Sequence, residues 1–298
     1  MKILLLGKDG QVGHELQRTL LPLGEVLALG RGVADLSQPS TLTTVLGEYR
    51  PDVIVNAAAY TAVDKAESDE AAAFAVNAEA LAVLAAYAAQ HDALLVHYST
   101  DYVFDGTRAE GSYVENDATA PQSVYGRSKR AGEMAILDSA CKALILRTSW
   151  VVSSYGSNFI KTMLRLAKER DALNVVADQY GAPTSAELIA DVTSFAILGH
   201  RDGKLASGIY HLTASGSTTW HGLASHVIAR AASNGIALRV VASAISAIPS
   251  SAYPLPAKRP ANSRMDNRKL QQALGLQFPD WTVHVNRIVD QLSEKEHA

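Results

Sequence analysis

The sequence has 298 residues, and its 27 Lys and Arg against 30 Asp and Glu leave a net charge of −3 at pH 7. This balance gives no indication of a nucleic-acid or membrane partner. Cys141 is the single cysteine, which excludes an internal disulfide or a cysteine metal cluster, so a reducing cytoplasm is the expected location. The first residues predict a strand rather than a signal peptide.

The chain opens with an apolar strand and closely spaced glycines. Lys2-Ile3-Leu4-Leu5-Leu6 is typical of a buried strand, and Gly7, Gly10 and Gly13 precede a helical pattern over residues 15–20. Glycines before a helix N-terminus let the backbone approach an anion that the helix dipole also favours. The spacing G-x-x-G-x-x-G departs from G-x-G-x-x-G. We interpret this segment as a loop for the pyrophosphate of a dinucleotide rather than as an ordinary turn.

The second predicted strand, residues 25–29, has no acidic residue at its tip to bind a ribose 2′-hydroxyl. Arg31, helped by Lys8, could pair instead with a 2′-phosphate. If Arg31 pairs in this way, NADPH should serve at least as well as NADH, and Asp35 and Leu36 should lie near the adenine. The alternative is that Arg31 is a solvated loop charge.

A third strand, residues 52–55, runs into small residues that leave room for a cofactor at the sheet edge. An Ala-rich helix is predicted from about residue 71 to 90. Its Asn77 is either exposed or holds backbone or water near the catalytic group. The apolar stretch 71–93 contains polar residues that make it too polar for a membrane span.

A fourth strand ends in Ser99-Thr100-Asp101, about 25 residues before Tyr125. Ligands of doubly wound folds bind at the carboxyl ends of strands, so Thr100 and Tyr125 should face the same crevice. Thr100 could hydrogen-bond a substrate oxygen and Asp101 a sugar hydroxyl. Taken separately, either residue could be a turn former or an N-cap.

Tyr125 and Lys129 lie four residues apart and therefore on one face of a predicted helix. A free phenol has a pKa of about 10, and a neighbouring ammonium lowers it. The pair then suits general acid/base chemistry on an alcohol or ketone. A tyrosine beside a surface lysine is the common alternative, and the upstream features favour the catalytic interpretation.

Alternating strands and helices up to about residue 150 predict a Rossmann-type doubly wound parallel sheet of the α/β class. Helices over 158–170 and 186–198, a strand over 208–212 and a helix beginning near Trp281 follow. The Pro-rich stretch 249–260 predicts a loop that encloses substrate. We divide the chain into a dinucleotide-binding domain, 1–150, and a mainly substrate-binding domain, 151–298, some segments of which return to the first.

Several motifs resemble the extended branch of the short-chain dehydrogenase/reductase superfamily and, within it, the dTDP-4-dehydrorhamnose reductase family. The glycine loop and the Tyr125/Lys129 pair are shared by the superfamily, whereas the runs 178–184 and 259–263 are more specific to the reductase family. The resemblance covers nearly the whole chain and rests on Gly7-Lys8-Asp9-Gly10-Gln11-Val12-Gly13, the run 56–67, Ser99-Thr100-Asp101-Tyr102-Val103-Phe104, Tyr125-Gly126-Arg127-Ser128-Lys129, Arg147-Thr148-Ser149-Trp150, the run 178–184 and Arg259-Pro260-Ala261-Asn262-Ser263.

The resemblance implies reduction of a dTDP-4-dehydro-6-deoxy-L-hexose to dTDP-L-rhamnose, a precursor of cell-surface polysaccharides such as lipopolysaccharide. It implies that Tyr125 donates the proton, that Lys129 binds the nicotinamide ribose and that Thr100 orients the substrate O4. Asp101, Trp150 and Arg259 would bind substrate, the last through its diphosphate; packing and a surface ion pair are the alternatives for Trp150 and Arg259. The residues implied to bind NADPH or NADH are Gly7, Gly10, Gln11, Val12, Gly13, Arg31, Asp35, Leu36, Ala59, Tyr60, Thr61, Tyr98, Tyr125 and Lys129.

Some members of this family dimerise through Mg²⁺, and Glu15 and Glu187 match two of the three acidic positions. The third falls near Asp290, where the carboxylate is absent or shifted. A homodimer with structural magnesium is thus one expectation.

Two further functions are compatible with the same motifs. A nucleotide-sugar epimerase or dehydratase would use the same glycine loop and the same catalytic pair. A non-catalytic protein resembling the regulatory subunit of methionine adenosyltransferase would retain the fold without the reaction. The presence of Thr100, Tyr125 and Lys129 together favours a catalyst over the non-catalytic subunit.

Overall fold

The computed structural model describes residues 1–297, and a parallel sheet lies at its centre. The strands are β1 (Lys2–Leu6), β2 (Glu25–Leu29), β3 (Val53–Asn56), β4 (Leu94–Thr100), β5 (Ala143–Thr148), β6 (Val151–Val152), β7 (Leu173–Val176), β8 (Tyr180–Gly181), β9 (Thr184–Ser185), β10 (Gly208–His211), β11 (Thr218–Thr219) and β12 (Ile245–Ile248). The α-helices are α1 (Gln11–Thr19), α2 (Pro39–Tyr49), α3 (Val63–Ala66), α4 (Glu70–Phe74), α5 (Ala80–His91), α6 (Val124–Asp138), α7 (Phe159–Glu169), α8 (Ala186–Arg201), α9 (Trp220–Ser233), α10 (Arg268–Leu274) and α11 (Trp281–His297).

The central sheet has six parallel strands in the order β2-β1-β3-β4-β5-β10. The direction of winding reverses between β1 and β3, and doubly wound sheets bind ligands beside the carboxyl ends of the strands at such a point. The predicted Rossmann-type fold is confirmed.

Helices cover both faces of the sheet, as the almost uninterrupted apolar strands require. Leu16 of α1, Ile189 of α8 and Val285 of α11 belong to the core on one face. Leu46 of α2 and Leu84 of α5 belong to the core on the other face. The sheet is therefore buried on both faces, and buried polar residues such as Asn56, Thr100 and Thr148 lie at the ends of its strands.

The Ala-rich segment forms one helical stretch, Glu70–His91, in which a π-helical turn, Ala75–Glu79, joins α4 to α5. By length and composition this stretch is apolar enough to cross a membrane, so the prediction that it is too polar is wrong on that criterion. In the fold, Leu81, Leu84 and Ala88 are buried against the sheet. The stretch thus packs as a core helix.

The second half of the chain has a smaller core of its own. Met163 of α7, Ile228 of α9, Val175 of β7 and Ile245 of β12 form a separate cluster. Strand β10 instead pairs with β5 at the edge of the central sheet. This arrangement supports our proposed division into two domains with a segment that returns to the first.

Candidate functional site

The glycine loop lies tightly against the ends of β1 and β3. Gly7 has φ +83°, and a Cβ added there would lie 2.6 Å from the backbone nitrogen of Ala58. A Cβ on Gly13 would lie 2.0 Å from the Gly7 carbonyl oxygen, whereas one on Gly10 would make an ordinary contact at 3.4 Å. Only glycine fits at positions 7 and 13, and helix α1 begins at Gln11 directly after the loop. The backbone therefore fits the pyrophosphate of a dinucleotide.

Two carboxylates lie near the tip of β2. The Asp35 carboxylate accepts hydrogen bonds from Ser37 and from Arg31 Nε at 3.2 Å. Asp9 lies so close to Gly30 that a Cβ there would meet its Oδ2 at 2.1 Å. The sequence pattern shows no acidic residue at the strand tip because these two come from other turns. Arg31 is 83 % exposed and available to a ligand.

The segment after β3 is held in place by hydrogen bonds between the Asn77 side chain and the backbone of Tyr60. This fully buried amide accepts from Tyr60 N at 2.9 Å and donates to Tyr60 O and to Ser128 Oγ, both at 3.0 Å. The alternative that Asn77 is exposed is therefore wrong. Ala59 and Tyr60 are half-buried, and Thr61 lines the cavity described below.

Helix α6 carries the tyrosine and lysine, and two side chains hold its first turn. Ser123 Oγ accepts from Gly126 N at 3.1 Å, as an N-cap does. Glu67 Oε1 accepts from Val124 N at 2.8 Å. No sequence signal connects Glu67 with Val124, since 57 residues separate them. These two caps fix the position of Tyr125.

Thr100, Asp101 and Tyr125 converge at one wall of the cavity. Thr100 Oγ1 donates to Asp101 Oδ1 at 3.0 Å, and Ser263 Oγ donates to Asp101 Oδ2. Burial raises the pKa of Asp101 to about 6, and the hydrogen bonds from Ser263 and Thr100 offset part of that effect. Ser263 comes from the C-terminal part of the chain, and no sequence pattern assigned it a role of its own.

Tyr125 differs from expectation in its protonation. Burial is the main reason that its pKa rises to about 12, and the Asp101 carboxylate adds to the rise while a hydrogen bond with Thr100 opposes it. The prediction that Lys129 lowers this pKa is therefore wrong. In the structure the Lys129 amine bonds His97 and the Tyr98 carbonyl instead. The neutral phenol of Tyr125 therefore dominates at neutral pH.

Lys129 is enclosed in a buried hydrogen-bond chain. Ala58 N–H donates to Asn56 Oδ1 at 3.1 Å, which turns the Asn56 amide nitrogen toward His97 Nδ1 at 3.2 Å. His97 Nδ1 must then accept, so the ring proton is on Nε2, 3.0 Å from Lys129 Nζ. The Lys129 amine also donates to the carbonyl of Tyr98 at 2.6 Å. This arrangement favours a neutral amine, and burial likewise lowers the pKa of Lys129 to about 7.

Several residues predicted to bind the cofactor have side chains that are engaged within the protein. The Tyr98 hydroxyl bonds Thr193 at 2.8 Å on the far side of the sheet, and only the Tyr98 carbonyl faces Lys129. Leu36 is buried in a core cluster, and Val12 packs against the other core. Their side chains are thus committed to the fold.

Trp150 forms part of a second cavity wall. Its ring stacks on Trp220 at 3.5 Å with planes 10° apart, and a Cβ on Gly181 would lie 2.6 Å from Trp150 Cε2. Trp150 also has a left-handed backbone, φ +49°. Gln179 Oε1 accepts from Trp220 Nε1 at 3.1 Å. Two residues of the motif 178–184, Gln179 and Gly181, therefore contact the two stacked tryptophan rings.

These elements enclose a cavity of about 1190 Å³ at the carboxyl ends of β4 and β5. Gln11 and Thr61 line its cofactor side, Tyr125 its centre, and Trp150 and Arg259 its outer part. The volume exceeds the range of about 300–1,000 Å³ common for small-molecule sites. It therefore has room for a ligand as large as a nucleotide sugar.

The acidic positions suggested for magnesium do not form a metal site within one chain. Among residues 1–297, no group of three or more His, Cys, Asp and Glu is placed to hold a metal ion. Glu187 pairs with Arg287 at 3.0 Å, and Glu15 lies 3.7 Å from Arg18. Asp290 is bound by Arg230 at 2.7 Å. The expected magnesium is therefore not supported.

Comparison with known proteins agrees with this geometry. Residues 1–294 match the family described as the RmlD substrate binding domain. A dTDP-4-dehydrorhamnose reductase of Burkholderia thailandensis is 49 % identical over 296 residues, which cover 98 % of this chain and 99 % of that protein.

Solved structures extend the comparison. A dTDP-4-dehydrorhamnose reductase of Clostridium acetobutylicum superposes with a TM-score of 0.89 at 34 % identity, covering 98 % of this chain and 99 % of the other. A Bacillus anthracis enzyme of that name, in complex with NADP, gives 0.87 at 33 % identity, covering 97 % and 99 %. The chain therefore belongs to the RmlD substrate binding domain family, the family of the dTDP-4-dehydrorhamnose reductases.

Proposed function

We propose that the protein reduces the 4-keto group of dTDP-4-dehydro-6-deoxy-L-mannose to dTDP-L-rhamnose, using NADPH or NADH. The observation that carries this proposal is the meeting of the Tyr125 and Thr100 hydroxyls in one cavity beside the glycine loop. Membership of the reductase family supports the substrate class.

The chain's own residues bind and orient the dinucleotide. The backbone of the loop at Gly7, Gly10 and Gly13 accommodates the pyrophosphate. Arg31 pairs with the 2′-phosphate of NADPH, so NADPH is used at least as well as NADH. When bound, the reduced nicotinamide supplies a hydride. Comparison of kcat/KM for the two cofactors tests the preference: NADPH should be used at least as well, and a strong preference for NADH would contradict the role of Arg31.

Tyr125 delivers the proton that the reduced oxygen requires. Its raised pKa keeps the phenol protonated at neutral pH, so the hydroxyl can protonate the oxyanion that develops at O4. The Thr100 hydroxyl turns from Asp101 to donate its single proton to the same oxygen and so fixes its position. Lys129 holds the nicotinamide ribose, and its amine, with a pKa near 7, can exchange protons at neutral pH.

The sugar nucleotide occupies the outer part of the cavity. Asp101 accepts from a sugar hydroxyl, the Trp150 ring packs against the sugar face, and Arg259 binds the diphosphate. We also propose a homodimer and a cytoplasmic location. Magnesium is left out of the proposal, because the carboxylates suggested for it are engaged by arginines.

The test mixes purified protein, NADPH and dTDP-4-dehydro-6-deoxy-L-mannose and follows NADPH absorbance and the product sugar. Stoichiometric NADPH oxidation with formation of dTDP-L-rhamnose supports the proposal. An epimerase would convert the sugar without net NADPH consumption, and a non-catalytic subunit would leave both compounds unchanged. Either of these results would overturn it.

A further inference from the structure

Asp64 and Arg259 form an ion pair that connects the two halves of the chain across the cavity. Asp64 lies in the short helix α3, which follows the cofactor-side segment, whereas Arg259 lies in the Pro-rich loop that borders the outer cavity. Arg259 Nη2 and Asp64 Oδ2 are 2.7 Å apart. Ala257 N also donates to Asp64 Oδ1 at 3.2 Å. One carboxylate thus holds both the arginine side chain and the backbone of its loop.

The guanidinium of Arg259 is held on one side and exposed on another. Asp64 binds its Nη2, and its Nη1 is buried in the protein. The side chain as a whole is 19 % exposed and lines the cavity. The exposed part of the guanidinium can therefore contact a ligand.

The chemistry of the guanidinium favours a phosphate oxygen as its ligand. Guanidinium groups bind phosphate through charge-assisted hydrogen bonds in a fixed planar geometry. With Nη2 bound to Asp64, rotation of the guanidinium plane is restricted, and its exposed part keeps one direction. A ligand that meets a donor already in place avoids the entropy cost of ordering a long side chain.

We propose that Asp64 is a positioning residue that fixes Arg259 and its loop so that the exposed part of the Arg259 guanidinium binds the diphosphate of the sugar nucleotide. The inference rests on the proposed function, because it takes the diphosphate of that substrate as the ligand. Asp64 follows the predicted cofactor-binding segment in the chain. The inference nevertheless assigns it an effect on the affinity for the sugar nucleotide and no effect on the affinity for the dinucleotide.

The experiment measures dTDP binding by calorimetry and steady-state kinetics for Asp64→Asn, Arg259→Gln and the double variant. Asp64→Asn should weaken dTDP binding and raise KM for the sugar nucleotide by about tenfold, the loss of one charge-assisted hydrogen bond. The kcat value and the affinity for NADPH should stay within about threefold. In the Arg259→Gln background, Asp64→Asn should have almost no further effect on dTDP affinity, because the two residues act as one unit.

Two controls separate positioning from general destabilisation. Glu70→Gln removes an exposed carboxylate 3.6 Å from Arg127, outside the cavity, and should leave dTDP binding unchanged. Asp64→Glu keeps the charge and should retain most of the dTDP affinity, which also provides a folded variant if Asp64→Asn does not fold.

Distinct results would overturn the inference or the function beneath it. Unchanged dTDP affinity in Asp64→Asn, or fully additive effects of the two substitutions, would refute positioning by Asp64 while reduction by the wild-type protein continues. Wild-type protein that neither binds dTDP nor reduces the keto sugar would refute the proposed function itself.

Discussion

Tyr125 lies at the cavity wall beside Thr100 and Asp101, and burial there keeps its hydroxyl protonated at neutral pH. The pKa depends on burial and on Asp101, while His97 and the Tyr98 carbonyl occupy Lys129. Those partners come from another strand, which no local pattern reveals.

Tyr125→Phe should reduce kcat by about 10²–10⁴-fold, the usual contribution of a positioned acid. The dissociation constant for NADPH should change little, because the phenyl ring remains and only the hydroxyl is lost. Stopped-flow turnover and fluorescence titration of NADPH provide the two readouts. Tyr155→Phe, on a ring stacked against His14, is the control and should behave like wild type. Normal kcat in Tyr125→Phe would refute the proton-donor role.

Asp101 should make the stability of the protein depend on pH. Its pKa rises from 3.8 to about 6 on folding, so the folded state binds the proton more tightly than the unfolded state. The stability that this proton contributes is present below pH 4 and is lost as pH rises through 6. The free energy of unfolding of Asp101→Asn, relative to wild type, should therefore increase between pH 4 and 7, by about 3 kcal/mol at most. Urea unfolding at several pH values measures this difference, and a pH-independent difference would contradict the assignment.

At the scale of elements, apolar runs predict the strands well. The predicted second strand coincides with the observed Glu25–Leu29, and helix α11 begins at the predicted Trp281. The π-helical turn at Asn77 is not predictable from the sequence, since it accompanies hydrogen bonds with Tyr60 and Ser128 that depend on the tertiary fold. Local propensity therefore suffices for the regular elements and fails where a polar side chain is shared between elements.

The glycine loop provides a test at this scale with a matched pair. Gly13→Ala would place a methyl group 2.0 Å from the Gly7 carbonyl oxygen, so we expect a lower melting temperature and weaker NADPH binding. Gly10→Ala adds the same methyl group at an ordinary contact distance of 3.4 Å from the Gly7 carbonyl oxygen, so it should keep the melting temperature of the wild-type protein. Differential scanning fluorimetry and NADPH titration distinguish the two. Equal melting temperatures would show that the close approach is absent.

At the scale of the whole molecule, the cavity arises from contacts between distant parts of the chain. Asp64 bonds Arg259, which lies 195 positions later in the sequence, and Asp101 accepts a hydrogen bond from Ser263, which lies 162 positions later. The sequence could therefore suggest each half of the site, whereas only the fold shows which residues touch. The resemblance to a known family supplied the substrate, because neither composition nor periodicity distinguishes one sugar nucleotide from another.

The central claim is that this cavity reduces C4 of a dTDP-linked keto sugar with a proton from Tyr125. The most direct measurement uses NADPH deuterated at both C4 positions of the nicotinamide and locates the label in the product by mass spectrometry and NMR. We predict one deuterium at C4 of dTDP-L-rhamnose with wild-type protein and almost none with Tyr125→Phe over the same interval. Deuterium elsewhere in the sugar, or equal transfer by both proteins, would contradict the account.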